Sequence, residues 1–255
     1  MARLRPSFAK AEGWEIVSTK RRFATVSKAL VILSGGQDST TCLFWAKPEY
    51  ASVDTVTFAY NQRHAIEIES AKKIASMAGV SHEVIELGPL FAGLSPLTNK
   101  DQQVHQYDSA ETLPGGLENT FVPGRNILFL AVAANRAFVL NCDDLIIGVS
   151  QEDFGGYPDC RKDFIDKMQA ALAAGLDKSL KIVSPLMNLN KKQTVELAAT
   201  LPGCMDALAH STTCYNGAVP PCAQCHSCLL RERGFHEANL TDPLLSRLAA
   251  GATAC

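Results

Sequence analysis

Ala29-Leu30-Val31-Ile32-Leu33-Ser34-Gly35-Gly36-Gln37-Asp38-Ser39-Thr40-Thr41-Cys42-Leu43 divides into three pieces. Ala29 to Leu33 is an uninterrupted apolar run, as in a strand buried on both faces of a parallel sheet. Ser34 to Asp38 is a tight polar turn with two adjacent glycines, which let backbone N–H groups approach an anion without an intervening Cβ. From Ser39 the pattern is that of a first helical turn with Leu43 and Phe44 on its inner face. A helix N-terminus offers unpaired N–H donors and the positive end of a dipole, and the hydroxyls of Ser34, Ser39 and Thr40 add donors. The plain alternative is a glycine turn that only joins a strand to a helix. The whole strand–SGGxDS–helix string argues for a phosphate cradle instead.

Outward from this stretch, strands and helices alternate. The helix continues from Thr40 to Trp45 and is expected to end at Pro48. Val53–Tyr60 alternates and is rich in β-branched residues, which predicts a second strand. Ala65–Met77 carries Ile66, Ile74 and Met77 at helical spacing, with Gly79 as a stop. Val80–Leu87 reads as a third strand. From Pro89 to Gly116 the pattern is lost, and an irregular surface segment or lid is expected. Ile127–Leu140 is an alanine-rich helix, Asp144–Val149 a buried strand, Phe164–Leu176 a helix, Lys181–Ser184 a short strand and Lys191–Thr200 an amphipathic helix. This alternation predicts an α/β fold, a Rossmann-like parallel sheet with helices on both faces. Before it, Met1–Gly13 has little periodicity, and a short strand is expected near Trp14–Ser18. The domain division expected is an N-terminal extension 1–26, an α/β domain 27–205 that carries the glycine turn, and a cysteine-bearing, helical C-terminal region 206–255.

Composition narrows the function classes. With 24 basic and 26 acidic residues among 255, the net charge is −2, which argues against whole-surface attraction to nucleic acid or membrane. No apolar run reaches the length of a membrane span, and the N-terminus lacks the apolar core of a signal peptide. A cytoplasmic protein is expected. In that compartment nine cysteines read as thiols and metal ligands rather than disulfides.

Cys214, Cys222, Cys225 and Cys228 form C-x7-C-x2-C-x2-C, and four thiolates at this density suit a tetrahedral Zn²⁺. An iron–sulfur cluster is the competing occupant, since thiolates hold those as well. No open coordination position is implied, so the zinc is read as structural, tying together a segment too poor in apolar residues to fold alone. His210 and His226 are further candidate ligands. Cys42 and Cys142 read as core residues, whereas Cys160 lies in a polar loop.

Two other strings are polar in unusual places. Phe121-Val122-Pro123-Gly124-Arg125-Asn126 opens the alanine-rich helix. There Arg125 could grip a phosphate or carboxylate in two-pronged fashion, or the string could be only a turn and a cap. Gly148-Val149-Ser150-Gln151-Glu152-Asp153-Phe154-Gly155-Gly156-Tyr157-Pro158-Asp159-Cys160-Arg161 follows a buried strand. Ligands of open parallel sheets bind beyond the carboxyl ends of strands. A solvated loop would explain the charges, while a planar polar heterocycle explains the aromatic among paired charges. Arg125, Glu152, Asp153, Tyr157, Asp159 and Arg161 are therefore the candidate substrate contacts.

There is no Walker spacing and no lysine in the glycine turn. The turn instead resembles the pyrophosphate loop (PP-loop) of the N-type ATP pyrophosphatases, which cleave ATP between the α and β phosphates and pass AMP to a substrate. That resemblance implies ATP binding by Leu33 through Leu43. It gives Asp38, a hard-oxygen ligand for Mg²⁺, and Ser39 the catalytic positions. Taken together and in order, SGGQDSTTCL, FVPGRN, GVSQEDFGGYPDCR and the four cysteines resemble the 7-cyano-7-deazaguanine (preQ0) synthases, the QueC family, over about Lys28 to Arg233. The extension before Lys28 departs from that family pattern. The resemblance implies the adenine-nucleotide alpha-hydrolase-like fold and a structural zinc on the four cysteines. It also implies a homodimer and an ATP-dependent ligase that turns 7-carboxy-7-deazaguanine and ammonia into the nitrile for queuosine biosynthesis. No glutaminase domain is seen, so free ammonium is the expected nitrogen source, and no stable nucleic-acid partner is expected. The alternatives are a tRNA-modifying PP-loop enzyme and a non-catalytic nucleotide-binding zinc module.

Overall fold

The computed structural model describes residues 27–63, 66–91, 93, 95–113, 117–151 and 156–252. The extension 1–26, with the strand expected at Trp14–Ser18, lies outside the described residues, as do Glu152, Asp153 and Cys255.

Among the described residues five strands build one sheet: β1 (Lys28–Ile32), β2 (Ser52–Ala59), β3 (Ser81–Glu86), β4 (Asp144–Ile146) and β5 (Lys181–Val183). Their order is β3-β2-β1-β4-β5, and every pair is parallel, with Ala29 opposite both Val53 and Asp144. The crossovers are α1 (Gln37–Glu49), α2 (Ile66–Ala78), α3 (Arg125–Val139) and α4 (Lys162–Leu176). After β5 come α5 (Lys191–Thr200), α6 (Cys204–Leu208), α7 (His226–Glu237) and α8 (Pro243–Ala252). No helix among the described residues is long and apolar enough to cross a membrane.

The apolar run of β1 is explained by burial on both faces. Side chains alternate along a strand, so Ala29, Val31 and Leu33 enter a core built with α1, α2, α5 and α6. Leu30 and Ile32 enter a second core built with α3 and α4, where Leu130, Ala133, Ala134 and Ala137 are buried. The alanines of α3 let it lie close to the sheet. Leu208 of α6 and Phe235 of α7 belong to the first core, together with β1.

Two elements differ from expectation, and the first is β4, which ends at Ile146 rather than Val149. The helix after the glycine turn does not stop before Pro48, because that residue sits in the last turn of α1. A proline there removes only one terminal N–H bond, and the Tyr50 N–H still reaches the Ala46 carbonyl at 3.1 Å. The stretch after β3 is irregular, as expected, apart from a short turn of helix at Ala110–Thr112, and it is anchored. Leu97 and Val104 are buried against Cys214, Cys225 and Cys228. The Arg63 guanidinium clasps it by donating to the carbonyls of Pro96, Asn99, Lys100 and Gln102.

The C-terminal helices hang on a buried ion pair. Arg231 of α7 meets Asp242 through two bonds of 2.6 and 2.8 Å, and both side chains are almost fully buried. The same guanidinium donates to Ser211 Oγ and Thr213 Oγ1, each at 2.8 Å, and to the Leu208 carbonyl. Removing one partner of such a pair leaves an uncompensated buried charge. Asp242→Ala is therefore expected to lower unfolding free energy by about 3–5 kcal/mol in denaturant titration. A change within about 0.5 kcal/mol, the range of ordinary surface substitutions, would show the pair to be dispensable.

Candidate active site and metal centre

The strand order reverses between β1 and β4, so the loops leaving these two strands diverge and open a crevice at the carboxyl edge of the sheet. The crevice is a cleft of about 290 Å³. On one side it is walled by Leu33, Ser34, Gly36, Gln37, Asp38 and Ser39 from the loop after β1.

That loop is internally braced. The Ser34 N–H donates to Ser39 Oγ at 3.1 Å, the two hydroxyls meet at 3.0 Å, and the Gly36 N–H donates to Ser34 Oγ at 3.2 Å. The Thr40 and Thr41 hydroxyls donate to the carbonyls of Gly36 and Gln37 at 2.7 and 3.0 Å. The hydroxyls read as anion donors thus shape the loop, and the anion-facing groups that remain are the N–H groups of the first turn of α1. Thr40, Thr41, Cys42 and Leu43 are fully buried beneath the loop. Gly35 has a φ of +87°, and a Cβ there would come within 2.2 Å of the Glu67 carbonyl oxygen, so only glycine fits.

Asp38 is held by a residue that the sequence reading missed. Lys191, the first residue of α5, donates to Asp38 Oδ2 at 2.7 Å. Asp38 Oδ1 is buried with no protein partner, and so are both amide atoms of Gln37. Buried polar atoms need partners, so these orphans fit a nucleotide with its Mg²⁺. The oxygen left on Asp38 is the hard ligand that such a cation takes. A signal for Lys191 did exist: it follows β5, whose carboxyl end shares this edge of the sheet.

The other wall brings together part of the remaining candidates. Arg125, Asn126, Gly156, Tyr157, Cys160 and Arg161 all line the cleft. Burial works against the Arg125 charge, but Tyr60, Tyr215 and Asp159 around it raise its pKa above the ordinary guanidinium value. The Tyr157 hydroxyl lies 2.6 Å from Thr120 Oγ1, and its ring stacks on Phe121. Asp159 is buried and does not line the cleft; its Oδ2 accepts from the Asn126 N–H at 3.3 Å, capping the start of α3. Burial raises its pKa while Arg125 holds it back. Arg161 is exposed at the rim and donates to the Gly156 carbonyl at 3.3 Å.

The four cysteines converge, with all Sγ atoms within 4.8 Å of one another. Cys222 and Cys228 lie 3.9 Å apart, close to the separation of two thiolates on a tetrahedral Zn²⁺ with bonds of about 2.3 Å. The Cys225 N–H donates to Cys222 Sγ at 3.3 Å, and Asn216 Nδ2 reaches the same sulfur at 3.5 Å. Hydrogen bonds from Cys225 and Cys228 hold the Cys214 thiol well below its ordinary range, while bonding to Cys214 pushes Cys228 far above it. Metal ligation takes the thiolate form, so a divalent cation would favour ionised sulfurs here. His210 and His226 are not among the converging groups. His226 is instead buried beside Glu118, its Nε2 3.8 Å from Oε1, and burial lowers its pKa to about 4. Cys42 and Cys142 are fully buried core residues.

The model of the family described as "Queuosine biosynthesis protein QueC" matches residues 28–239. The chain belongs to the QueC family. It is 52% identical over 225 residues to the 7-cyano-7-deazaguanine synthase of Gloeobacter violaceus, covering 86% of this chain and 96% of that protein. It is 49% identical over 222 residues to the one of Laribacter hongkongensis, covering 87% and 95%. Among solved structures, a 4-thiouridine synthetase–RNA complex with bound ATP aligns over 89% of this chain and 53% of that chain, at 16% identity and a TM-score of 0.44.

In this QueC-family chain the phosphate cradle and the thiol cluster occupy different places, which can be tested by substitution. Cys225→Ser is expected to lose bound metal and melt several degrees lower. Asp38→Ala should keep metal content and fold. Metal analysis and thermal melting check both. Loss of metal from Asp38→Ala would show that the two regions are not separate.

Proposed function

We propose that this chain is a 7-cyano-7-deazaguanine synthase that joins 7-carboxy-7-deazaguanine and ammonia at the expense of ATP. The reading is carried by one observation. In a chain of the QueC family, a PP-loop with orphaned acceptors and an arginine–tyrosine wall face each other across a single cleft.

The chemistry explains why both walls are needed. A carboxylate is a poor electrophile because its leaving group would be oxide. Its oxygen attacks the α phosphorus of ATP, pyrophosphate leaves, and the acyl–AMP anhydride that results can be attacked by ammonia. AMP departs, a proton is lost, and an amide remains. The amide oxygen then attacks the α phosphorus of a second ATP, a second pyrophosphate leaves and one N–H proton is lost; departure of AMP with the remaining N–H proton leaves the nitrile. The protein supplies position and charge neutralisation rather than a nucleophile. The first turn of α1 and Lys191 take the phosphate side, with Asp38 holding Mg²⁺ and Ser39 bracing the loop at the reacting phosphate. When bound there, Mg²⁺ would be held by Asp38 and would supply charge neutralisation at the phosphates. Leu33 through Leu43 form or support the nucleotide wall. Arg125 and Tyr157 receive the acid, with Glu152 and Asp153 as further contacts; Arg161 guards the rim and Asp159 sets the start of α3.

We assign Zn²⁺ to the four cysteines in a structural role, because four thiolates leave no open position. A homodimer in the cytoplasm, using free ammonium, completes the reading.

Mass spectrometry of a reaction with ATP, Mg²⁺, ammonium and 7-carboxy-7-deazaguanine is expected to show the nitrile together with AMP. Neither nitrile, amide nor AMP would refute the assignment. Lys191→Ala is expected to slow AMP formation by about 10²–10³-fold, the usual cost of removing one preorganised charge from a reacting centre. An unchanged rate would confine Lys191 to packing.

A further inference from the structure

We infer that Tyr215 is a positioning residue for the acid substrate, setting the hydroxyl of Tyr157 on the acid-facing wall. The inference rests on the functional reading above.

Tyr215 directly follows Cys214 and packs in the small core that holds Cys214, Cys225 and Cys228 with Leu97, Val104 and Val122. The same side chain lines the cleft. There it shares a hydrogen bond with Tyr157, whose hydroxyl also meets Thr120. Arg125 lines the same cleft. An aromatic side chain with an apolar body and a polar tip suits such a post: the ring is fixed in a core and the hydroxyl is presented at the cleft.

The backbone leading to Tyr215 is held at several points. The Thr212 N–H donates to the Gly35 carbonyl of the PP-loop at 2.9 Å. Ser70 Oγ and Thr212 Oγ1 meet at 2.8 Å, and Ser227 Oγ donates to the Thr213 carbonyl at 2.7 Å. The Arg231 guanidinium reaches Thr213 Oγ1 at 2.8 Å. The strap 211–215 therefore runs from the phosphate cradle to the thiol cluster, and Tyr215 is where it turns into the acid wall. A planar heterocyclic acid asks for a guanidinium at its carboxylate and for oriented hydroxyls at its polar edge. Tyr157 alone could supply a hydroxyl, but its direction would then depend on Thr120 only.

The test measures binding, not turnover. Tyr215→Phe, Tyr157→Phe and the double variant are titrated calorimetrically with 7-carboxy-7-deazaguanine and, separately, with ATP and Mg²⁺; metal content and melting temperature are measured alongside. Each single variant is expected to weaken acid binding roughly tenfold, the effect of one lost hydrogen bond. ATP affinity, metal content and melting should not change. The double variant should bind the acid about as weakly as the weaker single one, because the two hydroxyls act as a unit. Unchanged acid affinity in Tyr215→Phe would overturn the inference, as would losses that simply add, or a loss of metal or stability, which would make Tyr215 a packing residue. If the wild-type chain itself failed to bind the acid, the functional reading would fall first, so the two failures are told apart.

Discussion

The structure depends on the parallel pairing of β1 with both β2 and β4 at the centre of the sheet. These pairings bury β1 on both faces and set the point at which strand order reverses. Loops leaving neighbouring strands in opposite lateral directions cannot close over one another, and a crevice follows. The close fit of the two loops is seen at Gly148, just beyond β4. A Cβ there would lie 3.0 Å from the backbone of Asp38 and Ser39. The loop after β1 and the loop after β4 therefore meet through bare backbone.

Around that centre, the charge distribution suits a reaction that moves phosphate. Asp38 is neutralised on one oxygen by Lys191 and open on the other. A cleft so arranged can accept a metal-bound polyphosphate without leaving a buried charge unpaired in either state. Across the cleft, Arg125 keeps its charge despite burial because tyrosines and Asp159 surround it. The thiol cluster stands apart, and Leu97, Val104 and Val122 pack with Cys214, Cys225 and Cys228 in its core. The Tyr107 N–H bonding to the Gln224 carbonyl at 2.9 Å is a further tie between them. What resembles a lid in sequence is a buttress in the fold.

The legible and illegible parts separate along physical lines. The SGGQDS turn and the cysteine set could be read because each works through residues close together in sequence, where backbone geometry or ligand spacing is nearly fixed. The buried strands could be read because burial on two faces leaves an unbroken apolar run. Arg125 and Tyr157 could be proposed from polar groups placed after a strand or before a helix. Asp159 shows the limit of that logic: its charge in a polar loop predicts a substrate contact, yet its carboxylate is turned onto the N-terminus of α3. Lys191, Tyr60, Gln62, Glu67 and Tyr215 line the cleft but carry no local pattern that sets them apart.

The sequence by itself determined the alternation of strands and helices, the glycine turn at the head of α1, and the density of thiols that calls for a metal. These are local properties, written in periodicity and spacing. Only the tertiary structure decided which side chains face one another across the cleft. Lys191 reaches Asp38 across 153 positions of the chain, and Arg125, Tyr157 and Tyr215 meet from three separate segments. Such meetings depend on strand order and on how loops at the carboxyl edge pack against each other, and no window of sequence contains that information.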